Sequence, residues 1–270
     1  GGNTSAKIDM PDLLSGKNQN ILWVKGSGGD LGSMHLDGFS TLYMDKLIGL
    51  KKLYKGLKHE DEMVNLFPHC TFNLNPRASS IDTPLHAFVP NKHVDHTHPD
   101  VIISIACMKN SQKMTKKIFD GDLGWLEWQR PGFDLGLKLE EIAKSDPNLK
   151  GVILGQHGLF TWGDTSKECY DLTISIIQRA ADWFENNKTK EPFGGIKYKK
   201  PLNKSQRHDI VSKLMPHLRG KITTDQNKIG HFIDDPNVLQ FVNSKKLNNL
   251  ASLGTSCPDH FLRTKICPLV

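Results

Sequence analysis

The stretch His93-Val94-Asp95-His96-Thr97-His98-Pro99-Asp100 decides how this chain is read. It is β-like up to its proline, and side chains two apart on a strand point to the same face. His96 and His98 therefore share a face and can reach one ion. His93 has the opposite parity and is read as structural. Three neutral histidines with a fourth position left open form an arrangement used by catalytic zinc. The third candidate is His157, in Gln156-His157-Gly158-Leu159. It follows a short apolar strand, 151–155, and its flanking glycines permit a tight turn and a close approach. The remaining histidines have no partner at ligand spacing and read as surface or core residues.

A second cluster precedes the first: Ser79-Ser80-Ile81-Asp82-Thr83-Pro84-Leu85-His86. A short helix is expected over 82–88, with Pro84 in its first turn, where a missing N–H costs little. Hydroxyls, free N–H groups and the helix dipole at such a start suit a phosphate. The same residues also suit ordinary capping by Ser80 or Asp82. Asp82 reads either as a general base or as a fourth metal ligand; beside a cation its carboxylate stays ionised.

Other elements frame these two. Ile21–Val24 reads as a buried strand running into Gly26-Ser27-Gly28-Gly29-Asp30-Leu31-Gly32. That loop departs from the dinucleotide fingerprint at Leu31, and the segment after it breaks at Gly38 instead of opening a helix. Nicotinamide binding is therefore not read here. The backbones of Gly28 and Gly29 remain available to a phosphate. Phe39–Tyr43 reads as a strand. Leu47, Leu50, Tyr54 and Leu57 repeat at helical spacing. Asp100 is placed to cap a helix over 101–108. Thr165 and Glu168 form a capping-box pattern before a helix with Tyr170, Ile174, Ile177, Ala181 and Phe184 on one face.

The bulk numbers bound the function. With 270 residues, 37% of them hydrophobic, a packed core is expected. A net charge of +6 suits a small anionic substrate and is too dispersed to argue for nucleic acid. Five cysteines without pair spacing suggest a reduced, cytoplasmic protein. The longest apolar run, 101–108, is far short of the roughly 20 residues a membrane helix needs. Composition shifts near Asn186 to a stretch rich in Lys, Gly, Pro and Asn. The expected organisation is a catalytic domain over 1–190 and a basic linker and connecting region over 191–270. The chain starts at Gly1-Gly2-Asn3-Thr4-Ser5 and stops at Cys267-Pro268-Leu269-Val270, which suggests a piece of a longer protein.

Taken in order, these residues resemble the class II aldolase/adducin family. Gly2-Asn3-Thr4-Ser5 is similar to its phosphate loop. Ser80 and Asp82 to His86 are similar to its serine turn, carboxylate and histidine. His96-Thr97-His98-Pro99 is similar to its H-x-H metal motif, and His157-Gly158-Leu159 to its H-G-L motif. A narrower likeness, carried by residues 79–88, 93–100, 156–165 and 253–269, is to the aldolase half of bifunctional rhamnulose-1-phosphate aldolase/alcohol dehydrogenase proteins, in which a short-chain dehydrogenase half follows.

The resemblance implies a three-layer α/β/α fold with a mostly antiparallel central sheet, and a homo-oligomer, often a tetramer. It implies zinc or another divalent metal on His96, His98 and His157, Asp82 in the catalytic carboxylate position, and phosphate contacts from Asn3, Gly28 and Ser80. The implied activity is metal-dependent cleavage of a ketose 1-phosphate, L-rhamnulose 1-phosphate first. The chain departs from the sugar-phosphate aldolases in three ways: aspartate in place of glutamate at 82, Ile81 in place of a second serine, and no clear match for the tyrosine acid. Competing expectations are a sugar-phosphate epimerase or dehydratase of the same family, a non-catalytic adducin-like binding module, and a nucleophile at Cys257 with His260.

Overall fold

Asn3, Ser5 and Lys7 are buried on alternate positions of the first strand, β1 (Gly2–Pro11), so one face of that strand looks into a core. The computed structural model describes residues 2–75, 77–264 and 266–270. Six more strands join β1: β2 (Asn18–Lys25), β3 (Phe39–Tyr43), β4 (His93–Thr97), β5 (Leu123–Leu126), β6 (Gly151–Leu154) and β7 (Gly158–Gly163). They form one sheet in the order β3-β2-β1-β4-β7-β6-β5. Every neighbouring pair is antiparallel except β5 with β6.

Helices cover both faces. On one face lie α1 (Met44–Gly49), α2 (Glu60–Val64) and α3 (Thr83–Phe88); on the other lie α4 (Asp100–Ala106) and α5 (Ser111–Ile118). The long helices α6 (Phe133–Ser145) and α7 (Ser166–Asn186) join the first and second faces respectively. Leu22, Val24, Leu47, Phe88 and Phe133 pack on the first face, where Val94, Leu139, Val152 and Phe160 extend the same layer. Ile102, Ile105, Phe119, Ile153, Leu159 and Ile176 pack on the second. Neighbours such as Val152 and Ile153 thus serve opposite layers, and β6 is buried at all four positions. This is the three-layer α/β/α arrangement with a mostly antiparallel sheet.

Residues Gly1–Asn187 and Ser256–Arg263 make up this unit. A second compact unit, Lys188–Thr255 with Thr264–Val270, contains α8 (Lys204–Ile222), α9 (Pro236–Val242) and α10 (Leu247–Ala251). The last helix, α11 (Pro258–Thr264), belongs to the first unit through Arg263. Among the described residues, no helix is long and apolar enough to cross a membrane.

Three local expectations are corrected. The helix expected through Leu47, Leu50, Tyr54 and Leu57 is broken. α1 ends at Gly49, a 3-10 turn follows, and Gly56 takes a φ of +98° that no helix contains, leaving Leu57 61% exposed. The fully buried positions of α7 are one residue off the expected face: they are Cys169, Thr173, Ile176 and Ala180, while Tyr170 and Ile174 are exposed and Ile177 and Phe184 of the expected face pack at the edge of the core. Small residues there let the helix approach the sheet closely. Thr161 and Thr173 join their hydroxyls at 2.6 Å, and a Cβ at Gly163 would meet the Cys169 nitrogen at 2.9 Å. Asp100 lies inside the first turn of α4, whose cap position is Pro99.

A buried carboxylate organises the entry to α6. Glu60 accepts from the backbone N–H of Phe133, from that of Asp134 at 3.3 Å and from the Tyr54 hydroxyl at 3.0 Å. Gly132 makes room for it, since a Cβ there would meet the Glu60 carboxylate. Glu60→Ala strands these donors in a buried place and is expected to cost about 2–3 kcal/mol of unfolding free energy. Urea denaturation reads this directly; a loss under about 0.5 kcal/mol would contradict it.

Candidate metal centre

The sheet register assembles the centre. Asn3 pairs with His96, His96 with Phe160, and Thr97 with Leu159. The start of β1, the end of β4 and the start of β7 therefore lie together at one end of the sheet. His98 follows β4 directly. His157 lies in the three-residue connection between β6 and β7, where Gln156 adopts a left-handed φ of +53°.

The three expected ligands converge. Nε2 of His98 lies 2.8 Å from Nε2 of His96, which lies 3.1 Å from Nε2 of His157. Across the described residues, these three form the group of potential metal ligands, with atoms within 4.8 Å of one another. His96 and His157 are buried, and His96 stacks on its ladder partner Phe160 at 4.1 Å between ring centres.

The second nitrogen of each ring sets the tautomer. Nδ1 of His96 faces the Leu159 carbonyl at 3.0 Å, and Nδ1 of His98 faces the Asp259 carboxylate at 2.8 Å. Both partners only accept, so both Nδ1 atoms carry the proton and both Nε2 atoms present lone pairs. Burial holds all three rings below the usual imidazole range, His157 down to about 3; neighbouring histidines add to the effect at His96 and His157, and the Asp259 carboxylate opposes it at His98. Lone pairs of neutral rings so close together repel unless a cation lies between them. Ligand nitrogens on a tetrahedral zinc ion sit about 3.3 Å apart, near the 2.8 and 3.1 Å from His96 to its two neighbours, within a group that spans no more than 4.8 Å. The donor set fits a divalent metal ion.

Two glycines make the convergence possible. A Cβ at Gly158 would lie 2.6 Å from His98 Cδ2 and from the Thr97 carbonyl oxygen. Gly2 has a φ of +106°, and a Cβ there would lie 2.2 Å from the His96 carbonyl oxygen. His93 lies on the opposite face, lining a cavity with Asp95 and Cys169.

The other expected site residues gather at the same sheet end. Asn3 donates to the Lys25 carbonyl at 3.4 Å. The loop carrying Gly28 is tied to the segment before Asp82 by a bridge from Gly26 to Ser79 and by the Ser27 N–H to Ala78 at 2.8 Å. Ser80 accepts from the Asp82 N–H at 3.2 Å. Asp82 makes no capping bond to α3, and its Oδ1 is buried without a partner among the described residues. Burial raises its pKa to about 6, against the opposing pull of Ser80 and the Lys25 ammonium. Asp82 lies outside the three-histidine group.

Sequence reasoning missed two charged groups. Lys25 is buried and donates to the Gly28 carbonyl at 2.9 Å; its position directly before the glycine loop was the available signal. Asp259 comes from the far end of the chain, and no local pattern pointed to it. Tyr43 is engaged with Asp12, and Tyr54 with Glu60 and Asp134. His260 turns its Nδ1 toward the Ser256 backbone, 3.4 Å away.

Residues 1–183 match the model of the class II aldolase and adducin N-terminal domain, and residues 209–270 that of the class II aldolase second domain. The whole chain is 40% identical over 270 residues to a Bacillus subtilis (strain 168) protein described as the uncharacterized oxidoreductase YuxG. It spans 39% of that relative's length. The N-terminal class II aldolase domain of a conserved Thermoplasma acidophilum protein is similar at 35% identity and a TM-score of 0.62, over 68% of this chain and 84% of that one. A sugar-phosphate aldolase from Thermotoga maritima shares the fold at 15% identity and a TM-score of 0.50, over 70% of this chain and 87% of that one.

Two expectations follow from the geometry. Gly158→Ala drives a methyl group into the His98 ring and the Thr97 carbonyl, so bound metal should fall severalfold by elemental analysis while the circular dichroism spectrum is kept. Undiminished metal content would contradict the packing. In chelator-treated protein, the Asp82 pKa of about 6 lies above its unfolded value near 3.8. Folding stability therefore drops as pH rises from about 4 to about 6, by about 3 kcal/mol. Asp82→Asn escapes this cost. It should melt higher than the parent at pH 7.5 and equal to it near pH 3.5; a variant that melts lower at pH 7.5 would contradict the assignment.

Proposed function

The chain belongs to the class II aldolase and adducin family, and from that premise we propose that it cleaves a ketose 1-phosphate, specifically L-rhamnulose 1-phosphate, to dihydroxyacetone phosphate and lactaldehyde. The observation that carries the reading is the convergence of three neutral imidazoles, next to a region holding a buried carboxylate and an ammonium. We assign His96, His98 and His157 as ligands of a divalent ion, zinc by their chemistry. Such an ion, when bound, supplies a Lewis acid for the C2 carbonyl of the substrate.

In this proposal the C4 hydroxyl gives up its proton and C4 becomes the aldehyde carbon. The C3–C4 bond breaks, its electron pair stays with C3, and a proton returned to C3 completes dihydroxyacetone phosphate. Asp82 is assigned to hold the proton at C3. A carboxyl group whose pKa is raised by burial is matched to proton transfer near neutral pH. Asn3, Gly28 and Ser80 are assigned to the phosphate, with Lys25 adding positive charge beside the Gly28 carbonyl. The rhamnulose assignment rests on the likeness of residues 79–88, 93–100, 156–165 and 253–269 to the bifunctional aldolase–dehydrogenase proteins. The same likeness makes 191–270 a connection toward a further dehydrogenase domain. The family resemblance makes the working form a homo-oligomer, often a tetramer, and the five cysteines without pair spacing suit the cytoplasm.

A coupled assay for dihydroxyacetone phosphate tests this on L-rhamnulose 1-phosphate, with and without chelator. Release of that product separates cleavage from epimerase or dehydratase chemistry and from a purely binding role. Activity should vanish with chelator and return with zinc. His157→Ala and Asp82→Ala should each lose at least 100-fold in kcat. Full activity in the chelated protein would refute the metal assignment, and full activity of Asp82→Ala would refute the proton assignment.

A further inference from the structure

The three rings of the metal centre are held in three different ways. His96 lies inside the sheet, so the Leu159 carbonyl is at hand for its Nδ1 proton. His157 is buried, and its Nδ1 has no hydrogen-bond partner among the described residues. His98 lies past the final pair of the β4–β7 ladder, Thr97 with Leu159, and meets no ladder carbonyl. Its Nδ1 partner is instead Asp259, 161 residues further along the chain, at 2.8 Å. The His98 side chain is 8% exposed and that of Asp259 30%, so the imidazole end of the contact is shielded from water and the carboxylate end is half-buried.

Asp259 is presented by a segment that returns to the catalytic unit after the chain has formed its second one. That segment is anchored where it arrives. The Ser256 carbonyl accepts from the Cys107 thiol at 3.2 Å, at the C-terminal cap of α4. The preceding residue, Ala106, accepts at its carbonyl the Gln156 N–H at 3.2 Å, next to His157. The anchor and two of the three candidate ligands thus belong to one continuous structure.

We propose that Asp259 is a positioning residue of the metal centre: its carboxylate holds the His98 ring through Nδ1 and keeps the Nε2 lone pair aimed at the point shared with His96 and His157. The segment Ser256–Arg263 is then a structural part of the centre. The inference rests on the reading of the three histidines as a metal site. A carboxylate behind a ligand histidine fixes the tautomer and ring orientation and raises the basicity of the ligand. The negative charge also offsets part of the positive charge the ion brings.

The test uses the full chain and cobalt(II), with affinity measured by competition against a chromophoric chelator and His157→Ala as control. One ion on the wild type and weak binding by His157→Ala establish the site independently of Asp259. Asp259→Asn, which keeps an acceptor but loses the charge, should then bind cobalt about 10-fold more weakly. Asp259→Ala, which loses both, should bind it about 100-fold more weakly. A second readout needs no metal. In ¹H–¹⁵N spectra of the chelated protein, His98 should be a fixed Nδ1–H tautomer in the wild type and a mixture in Asp259→Ala, with His96 unchanged. His96 also reports whether that variant keeps its fold. Wild-type affinity together with an unchanged His98 tautomer in Asp259→Ala would overturn the proposal while leaving the three-histidine site standing. Absence of cobalt binding by the wild type would overturn both.

Discussion

Three imidazole Nε2 atoms turned on one another, with those of His98 and His157 at 2.8 and 3.1 Å from that of His96, are the constraint on which the rest of this structure depends. The arrangement opposes itself electrostatically, and burial removes the alternative of charging the rings. The fold has to impose it. It does so with backbone register on one side and close packing on the other. The pairing of β4 with β7 places His96 against Phe160, and the carbonyl of Leu159 fixes its tautomer. Gly158 lets His98 and His157 meet without a side chain between them, and Gly2 lets β1 close against the His96 carbonyl.

The same sheet end collects a buried carboxylate and a buried ammonium. Asp82 is buried with one oxygen unpartnered among the described residues, and its pKa is lifted by desolvation to about 6. Lys25 is buried at the end of β2, where its ammonium meets the Gly28 carbonyl and pulls against that rise. Carboxylate, ammonium and imidazoles here stand on different elements: the β2 end, the α3 start, the β4 end and the β6–β7 connection. They meet because β1 runs antiparallel to both β2 and β4, which brings its start to the ends of its two neighbours.

How much of this could be read beforehand depended on how local the signal was. The opposite parity of His93 and His96 on β4 is a two-residue rule, and it separates the face of the three histidines from the other one. The glycines around His157 announce a close approach that Gly158 makes. The helix over 82–88 follows from Pro84 and the residues before it. Longer-range features were less legible. The fully buried positions of α7 are turned by one residue: small side chains, Cys169, Thr173 and Ala180, flank Ile176 against the sheet, and Tyr170 and Ile174 stay outside. The helix expected over 47–57 failed at Gly49 and Gly56, whose backbone freedom outweighed the leucine spacing. The contact of Asp259 with His98 was not legible, since it spans 161 residues and the resemblance of 253–269 says nothing of where that segment folds.

The central claim is that the imidazole cluster is built around a cation. Crystals grown with zinc and measured on both sides of the zinc absorption edge test it most directly. The account predicts a single anomalous peak about 2.0–2.1 Å from Nε2 of His96, His98 and His157, with Nδ1 of His98 still bonded to Asp259. Rings that remain bonded to one another in saturating zinc, with anomalous signal only at other residues, would contradict it.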